Sequence, residues 1–507
     1  MNYDTTICRV YSAACVGLEV VKITVEVSVA PGIGIHMVGL PDVAVKESLL
    51  RVSTALLKCG YRIPGRKIVI NLAPAGLRKE GARFDAAIAA AILMASGQVA
   101  FPDSDRFLIL GELALDGSFR DITAALPIAV KAASDGFTHL ICPPASVAEA
   151  SCVEGINVIG VSTLEHMVNV MRGEPIQRCS IPLSRNIKEE KYTTNFSQIR
   201  GQTFAKRGME IAAAGGHNIL LVGPPGSGKS MLAGALPSIL PPMSREEALE
   251  TSKIYSVAGL SDPSEGLMTR RPFRAPHQSL STAAMVGGGV SAMPGEISLA
   301  HNGVLYLDEL PQFQTSLLDL LRQPMEECRV SIARVKYRVV YPASFMLVAS
   351  MNPCPCGYAG SDDLRCSCTP GMIARYQSRI SGPFMDRMDL SIMVKRVESS
   401  LLVDGEHSEP SEAVRERVTM AREVQARRFR GSGIYTNSRM SSTMCEEICV
   451  PDSQGKDFLK RLIDRYSLSA RGYQRILRVS RTIADLEGAE QIGSAHIAEA
   501  AQFRFRF

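Results

Sequence analysis

One stretch constrains this chain more than any other. Residues 218–236 read NILLVGPPGSGKSMLAGAL, an apolar run, a glycine-rich octapeptide and then a helical pattern. The octapeptide is Gly223, Pro224, Pro225, Gly226, Ser227, Gly228, Lys229 and Ser230. A strand, a tight loop and a helix in that order form a P-loop. Backbone N–H groups and the helix N-terminus hold phosphates, the lysine reaches the β/γ-phosphates and the serine hydroxyl ligates Mg²⁺. Taken alone, the pattern could also be a plain glycine-rich turn.

A second stretch decides between the two. GVLYLDEL, residues 303–310, is an apolar strand ending in Asp308 and Glu309. An acidic pair after a strand is ordinarily a solvated strand end. Behind a P-loop at this spacing it supplies the two carboxylates that nucleotide hydrolysis needs: Asp308 for Mg²⁺, and Glu309 to polarise the water attacking the γ-phosphate. A third strand, SFMLVASMNP, ends at Asn352, a side chain able to orient that water, although Asn before Pro is also a common turn. Arg387 in GPFMDRMDL and Arg471 in LSARGYQRIL are candidates to stabilise charge on a transferring phosphoryl group, against the alternative of surface ion pairs. The residues therefore point to an ATPase using ATP and Mg²⁺.

At 507 residues the chain exceeds a single core and suggests roughly three to four units. Residues 1–175 alternate β-like and helical runs; 176–200 lose apolar periodicity and read as a linker. Residues 201–395 alternate again around the P-loop, and 396–507 carry amphipathic helices. With 21% charged and 46% hydrophobic residues, the composition excludes a disordered or fibrous chain. A net charge of +5 permits local basic patches without demanding nucleic acid. The start lacks a secretory pattern, and the longest apolar run, AAIAAAILMA at 86–95, is about half a bilayer span. The expectation is a cytoplasmic protein with no membrane contact.

In a reducing compartment, clustered cysteines favour metal or redox chemistry over structural disulfides. Four of the 13 cysteines fall in CPCGYAGSDDLRCSC, residues 354–368. Cys354, Cys356, Cys366 and Cys368 could give the tetrahedral thiolate set that Zn²⁺ prefers, which would be structural because four cysteines leave no open position. A redox switch and free thiols remain the other readings. Cys445 and Cys449, one helical turn apart, make an incomplete site and read as small buried hydrophobes.

Longer blocks carry a resemblance. They are MVGLPDVAVKES (37–48), INLAPAGLRKEGARFD (70–85), GELALDG (111–117), IRGQTFAKRGMEIAAAGGHNILLVGPPGSGKS (199–230), PFRAPH (272–277), AMVGGG (284–289), PGEISLAHNGVLYLDELPQF (294–313) and RISGPFMDRMDL (379–390). Together they resemble the magnesium-chelatase-like ComM/YifB family of AAA+ ATPases. The resemblance implies a multidomain α/β chain with a Lon-protease-like α+β N-terminal domain, an AAA+ P-loop α/β core and a C-terminal helical lid. It implies that Asn352 is the sensor-1 residue, Arg387 a finger reaching a neighbour's ATP and Arg471 sensor 2. A finger acting on a neighbour implies a ring, and the resemblance implies a homo-hexamer. Aligned with Lon, Arg83 stands where the nucleophilic serine belongs and Leu126 near the lysine, so the domain reads as non-proteolytic.

Two further segments bear on the substrate. Residues 269–298 add Arg270, Arg271, Arg274 and His277, followed by Gln278 where the family often has a second histidine. Residues 328–345 read as a β-hairpin with Arg334, Lys336 and Arg338 near its tip. In related rings such inserts line the pore, and the basic residues would follow a phosphate backbone; otherwise they guard an exposed strand edge. The resemblance thus implies a DNA helicase or branch-migration motor on single-stranded or branched DNA during natural transformation. The alternative is a chelatase-type motor that remodels a protein partner for Mg²⁺ insertion into a porphyrin.

Overall fold

The computed structural model describes residues 7–174, 194–289, 292–333, 338–360, 366–397 and 408–504. Most of the expected linker, up to residue 193, lies outside them, as do Arg334 and Lys336.

The N-terminal part is built on a seven-stranded mixed sheet. Its strands are β1 (Ile7–Val16), β2 (Glu19–Ala30), β3 (Ile35–Val38), β4 (Lys67–Ala73), β5 (Phe107–Ile109), β6 (His139–Cys142) and β7 (Asn157–Gly160), in the order β3-β4-β2-β1-β5-β6-β7. β2 alternates, burying Ile23, Val25 and Val27 and leaving the residues between them partly open, as one covered face requires. Helices that accompany the sheet include α1 (Val43–Lys58), α2 (Asp85–Ala95) and α3 (Ala125–Ser134). The AAIAAAILMA run is α2, apolar on every side and nearly all buried, a core helix rather than a span. Among the described residues no helix is long and apolar enough to cross a membrane. Leu126, at the start of α3, is fully buried, and Arg83 has its guanidinium enclosed. Neither side chain is a nucleophile or a base.

The second sheet holds five parallel strands: β8 (Ile219–Val222), β9 (Phe273–Arg274), β10 (Val304–Leu307), β13 (Met346–Met351) and β14 (Leu390–Met393), in the order β9-β10-β13-β8-β14. β8, β10 and β13 are buried at every residue, the continuous apolar reading expected of a parallel sheet covered on both faces. Between β10 and β13 the chain makes an antiparallel hairpin of β11 (Arg329–Ala333) and β12 (Arg338–Pro342), with Ala333 opposite Arg338 as the last pair before the connection between the strands. The hairpin expected from the sequence is present, and Arg338 is exposed. Helices α4 (Thr203–Gly215), α5 (Lys229–Ile239), α6 (Arg245–Ala258) and α7 (Thr315–Glu327) flank this sheet.

The C-terminal part is helical: α8 (Ser411–Arg428), α9 (Ser453–Tyr466), α10 (Ala470–Leu486) and α11 (Ser494–Gln502). Asp452 caps α9 by accepting from the Gly455 N–H, and Ser469 caps α10 by accepting from the Gly472 N–H. Their apolar faces join α4, α5 and one face of the sheet in a single buried cluster that runs from Phe196 to Phe503. The helical part is therefore packed onto the back of the sheet. Cys445 and Cys449 lie fully inside this cluster as small hydrophobes.

Candidate nucleotide site

β8 ends at Val222 and the chain turns at once. A side chain at Gly223 would put its Cβ 2.2 Å from the Val394 carbonyl oxygen, so only glycine fits there. Gly228 has φ +90°, a left-handed conformation that delivers the chain into α5. The loop lies at the carboxyl ends of β8, β10 and β13, where open α/β sheets bind ligands. Pro225–Met231, Asp308, Glu309 and Ser350–Asn352 line one cleft of about 470 Å³, within the range of small-ligand sites.

Inside it, Lys229 Nζ donates to the carbonyls of Gly223 (2.8 Å) and Pro224 (2.9 Å) and to Asn352 Oδ1 (3.2 Å). Burial lowers the ammonium's pKa, an effect countered by the Asp308 and Glu309 carboxylates. Ser230 Oγ donates to Asp308 Oδ2 at 3.1 Å. Burial pushes the Asp308 carboxyl up, but hydrogen bonds from the Ser350, Tyr306 and Ser230 hydroxyls outweigh it and hold the group below its ordinary value. Asp308 is thus kept ionised beside the serine hydroxyl, the oxygen pair that Mg²⁺ needs. Glu309 sits at the mouth with φ +51° and its N–H on Asp308 Oδ1 (3.0 Å), a left-handed turn that swings its carboxylate out of the strand line. Lys229, Ser230, Asp308, Glu309 and Asn352, scattered over 124 positions of sequence, meet in this cleft.

Arg387 and Arg471 do not line it. They share a second cavity, of about 450 Å³, where the helical part meets the core, with Glu326, Asp386, Arg439, Arg475 and Arg478 around them. Arg387 is nearly buried, donating to the Pro383 carbonyl at 2.6 Å and pairing with Glu326. Arg471 is largely exposed and stands 3.8 Å from Asp386.

Two positioning residues carry no motif signal. The Gln202 amide donates to the carbonyls of Ser227 (3.1 Å) and Lys395 (2.6 Å), tying the P-loop to the segment after β14. The Asn218 amide donates to the Arg387 carbonyl at 2.9 Å while its Oδ1 accepts from the Leu347 N–H, so one side chain joins β8, β13 and the arginine's segment. Only their places just before α4 and β8 would have drawn attention to them.

In the basic insert two arginines are engaged within the fold. Arg274, expected to face a phosphate backbone, donates from Nε and Nη2 to the two carboxylate oxygens of Glu296, each contact 2.6 Å. As a residue of β9 it is turned onto the short helix Glu296–Leu299, and its charge is paired within the fold. Arg271 is likewise held by Glu247 and by the Pro241 and Asn302 carbonyls.

A parallel five-stranded sheet with this strand order, a P-loop, a carboxylate pair after β10, one strand removed from β8, and a helical C-terminal part fit the AAA+ P-loop fold, a class that suggests an ATPase. The family descriptions agree. Residues 195–402 match "Magnesium chelatase, subunit ChlI", residues 25–146 match "Subunit ChlI of Mg-chelatase", and residues 408–504 match the ChlI C-terminal part. The chain is 42% identical over 504 residues to the competence protein ComM of Haemophilus influenzae, covering 98% of this chain and 97% of that one. It is 41% identical over 498 residues to YifB of Salmonella typhimurium, covering 98% and 96%. The magnesium-chelatase 38 kDa subunit of Cereibacter sphaeroides is more distant, 26% identical over 325 residues, covering 60% of this chain and 89% of that one. The chain belongs to the ComM/YifB family of magnesium-chelatase-like AAA+ proteins, a family that implies ATP and Mg²⁺ as ligands.

Proposed function

We propose that this chain is an ATP-hydrolysing motor that works as a homo-hexameric ring and acts on single-stranded or branched DNA. The observation that carries the ring is the division of the catalytic set. The P-loop, Asp308, Glu309 and Asn352 occupy one cleft, whereas Arg387 and Arg471 face another. A second copy docked with its arginine cavity over the first copy's cleft would complete the site.

Within that site Ser230 and Asp308 would hold Mg²⁺, which neutralises phosphate charge as the γ-phosphoryl group leaves. Lys229 gives up its carbonyl and Asn352 contacts to meet the β/γ-oxygens, which frees Asn352 to orient water. Glu309 accepts the water's proton, and Arg387 of the neighbouring copy stabilises the spreading charge, with Arg471 beside it.

DNA as substrate is supported by the name of the competence relative and by the hairpin, whose exposed Arg338 stands at the end where its two strands connect. In that reading Arg334, Lys336 and Arg338 track phosphates in the pore, and the motor serves strand exchange of incoming DNA in the cytoplasm. The N-terminal part would be a non-proteolytic Lon-like relic used for contacts.

Steady-state ATPase with no DNA, single strands, duplex and four-way junctions tests this. Stimulation by single-stranded or branched DNA that Arg338→Ala reduces at low salt is the expected result. Turnover indifferent to every DNA would overturn the DNA reading and favour a chelatase-type motor acting on a protein partner.

A further inference from the structure

The cysteine stretch that hydrolysis does not use is folded back onto the nucleotide site. Cys354 follows Asn352 by two residues, and its side chain is fully buried. The sulfurs of Cys354, Cys356, Cys366 and Cys368 all lie within 4.8 Å of one another, the one such cluster among the described residues. Cys354 is 3.3 Å from Cys356 and 3.9 Å from Cys366, and Cys356 is 3.6 Å from Cys366. These separations are too long for a disulfide, at about 2.05 Å. They match the edge of a tetrahedron with Zn–S bonds of about 2.3 Å, which is about 3.8 Å. The Ala359 N–H also points at Cys354 Sγ, 3.3 Å away, a donor suited to a sulfur carrying negative charge.

The same knuckle touches the P-loop. Gly357 has φ +89° and packs so closely on Pro225 that an added Cβ would lie 2.5 Å from Pro225 Cδ and 2.8 Å from Cγ. Pro225 is the third residue of the loop and lines the nucleotide cleft. The turn that holds Gly357 there is closed by its N–H to the Cys354 carbonyl (3.0 Å). Its shape therefore depends on where Cys354 and Cys356 are held.

We propose that Cys354, Cys356, Cys366 and Cys368 bind one Zn²⁺, and that the closed knuckle, pressed on Pro225 through Gly357, holds the P-loop in its phosphate-binding form. Binding displaces the thiol protons to solvent and requires no oxidant or reductant. The metal is structural, and nucleotide affinity depends on it. The second half rests on the ATPase reading above.

The test uses the full chain. Zinc content is measured by mass spectrometry, and affinity for a fluorescent ATP analogue with Mg²⁺ is measured before and after a chelator selective for zinc over magnesium. One zinc per chain is expected, and its removal is expected to weaken nucleotide binding about tenfold, with recovery on adding Zn²⁺. About tenfold corresponds to about 1.4 kcal/mol, the scale of one positioned contact. Cys356→Ser should lose both zinc and affinity. Gly357→Ala should keep its zinc yet bind nucleotide more weakly, which keeps the test open if the cysteine variant does not fold. Lys229→Ala should lose nucleotide binding and keep zinc.

A chain that stays zinc-free after reconstitution, or that forms disulfides among these cysteines instead, would overturn the site. Zinc whose removal leaves affinity unchanged would overturn the coupling. Zinc-loaded protein that binds no nucleotide would overturn the coupling and the ATPase reading together, with stoichiometry still deciding the site.

Discussion

Glu309 and Asp308 are neighbours in sequence with opposite tasks, and the backbone separates them. Asp308 is locked by three hydroxyls and turned towards Ser230, which suits a metal ligand but leaves it no freedom to take a proton. Glu309, in its left-handed turn, has no such hydroxyl restraint among the described residues. Glu309→Gln should therefore lower ATP turnover by at least about 100-fold, the usual contribution of a positioned general base, while nucleotide affinity changes little. Turnover and equilibrium binding measured on the same preparation check this. At this scale the sequence was informative wherever chemistry demands one residue type at one spacing. The P-loop, Asp308, Glu309 and Asn352 could all be read from their strands. Gln202 and Asn218 could not, because a bridging amide has no fixed spacing and its partners are carbonyls that any residue supplies. The ion pair of Arg274 was hidden for a related reason: a basic residue beside glycines looks free in sequence, and only the fold brings Glu296 to it.

At the scale of elements, the parallel core was legible because its strands are short unbroken apolar runs, and the helical end because its periodicity is strong. The packing between parts was not. The turn between β1 and β2 places Gly17 against the hairpin: an added Cβ would lie 2.1 Å from Val339 Cγ1, and φ there is +63°. Val16 and Leu18 join the hydrophobic cluster under β11 and β12. The N-terminal sheet thus buttresses the hairpin that carries Arg338, a contact between segments more than 300 residues apart that no local pattern announces. Gly17→Ala should destabilise the chain by about 2 kcal/mol, combining left-handed strain with overpacking. Chemical denaturation should show a lower midpoint, and an unchanged midpoint would mean the hairpin is not held there.

For the whole molecule, the division of catalytic groups matters most. A lone copy presents a cleft with a lysine, two carboxylates and an asparagine, and elsewhere a cavity rich in arginine. Asn218 fixes the Arg387 segment to the start of β8, the strand whose other end is the P-loop. Each copy therefore offers the two halves of a site at a set spacing, which suits a closed ring of identical subunits. The most direct measurement mixes two inactive variants, Lys229→Ala, which lacks the phosphate-binding amine, and Arg387→Ala, which lacks the arginine. If each site joins one copy's P-loop to its neighbour's arginine, mixed rings regain ATPase activity that neither variant has alone. If the arginine serves its own chain's nucleotide, no mixture restores a complete site, and activity that stays absent at every ratio would contradict the account.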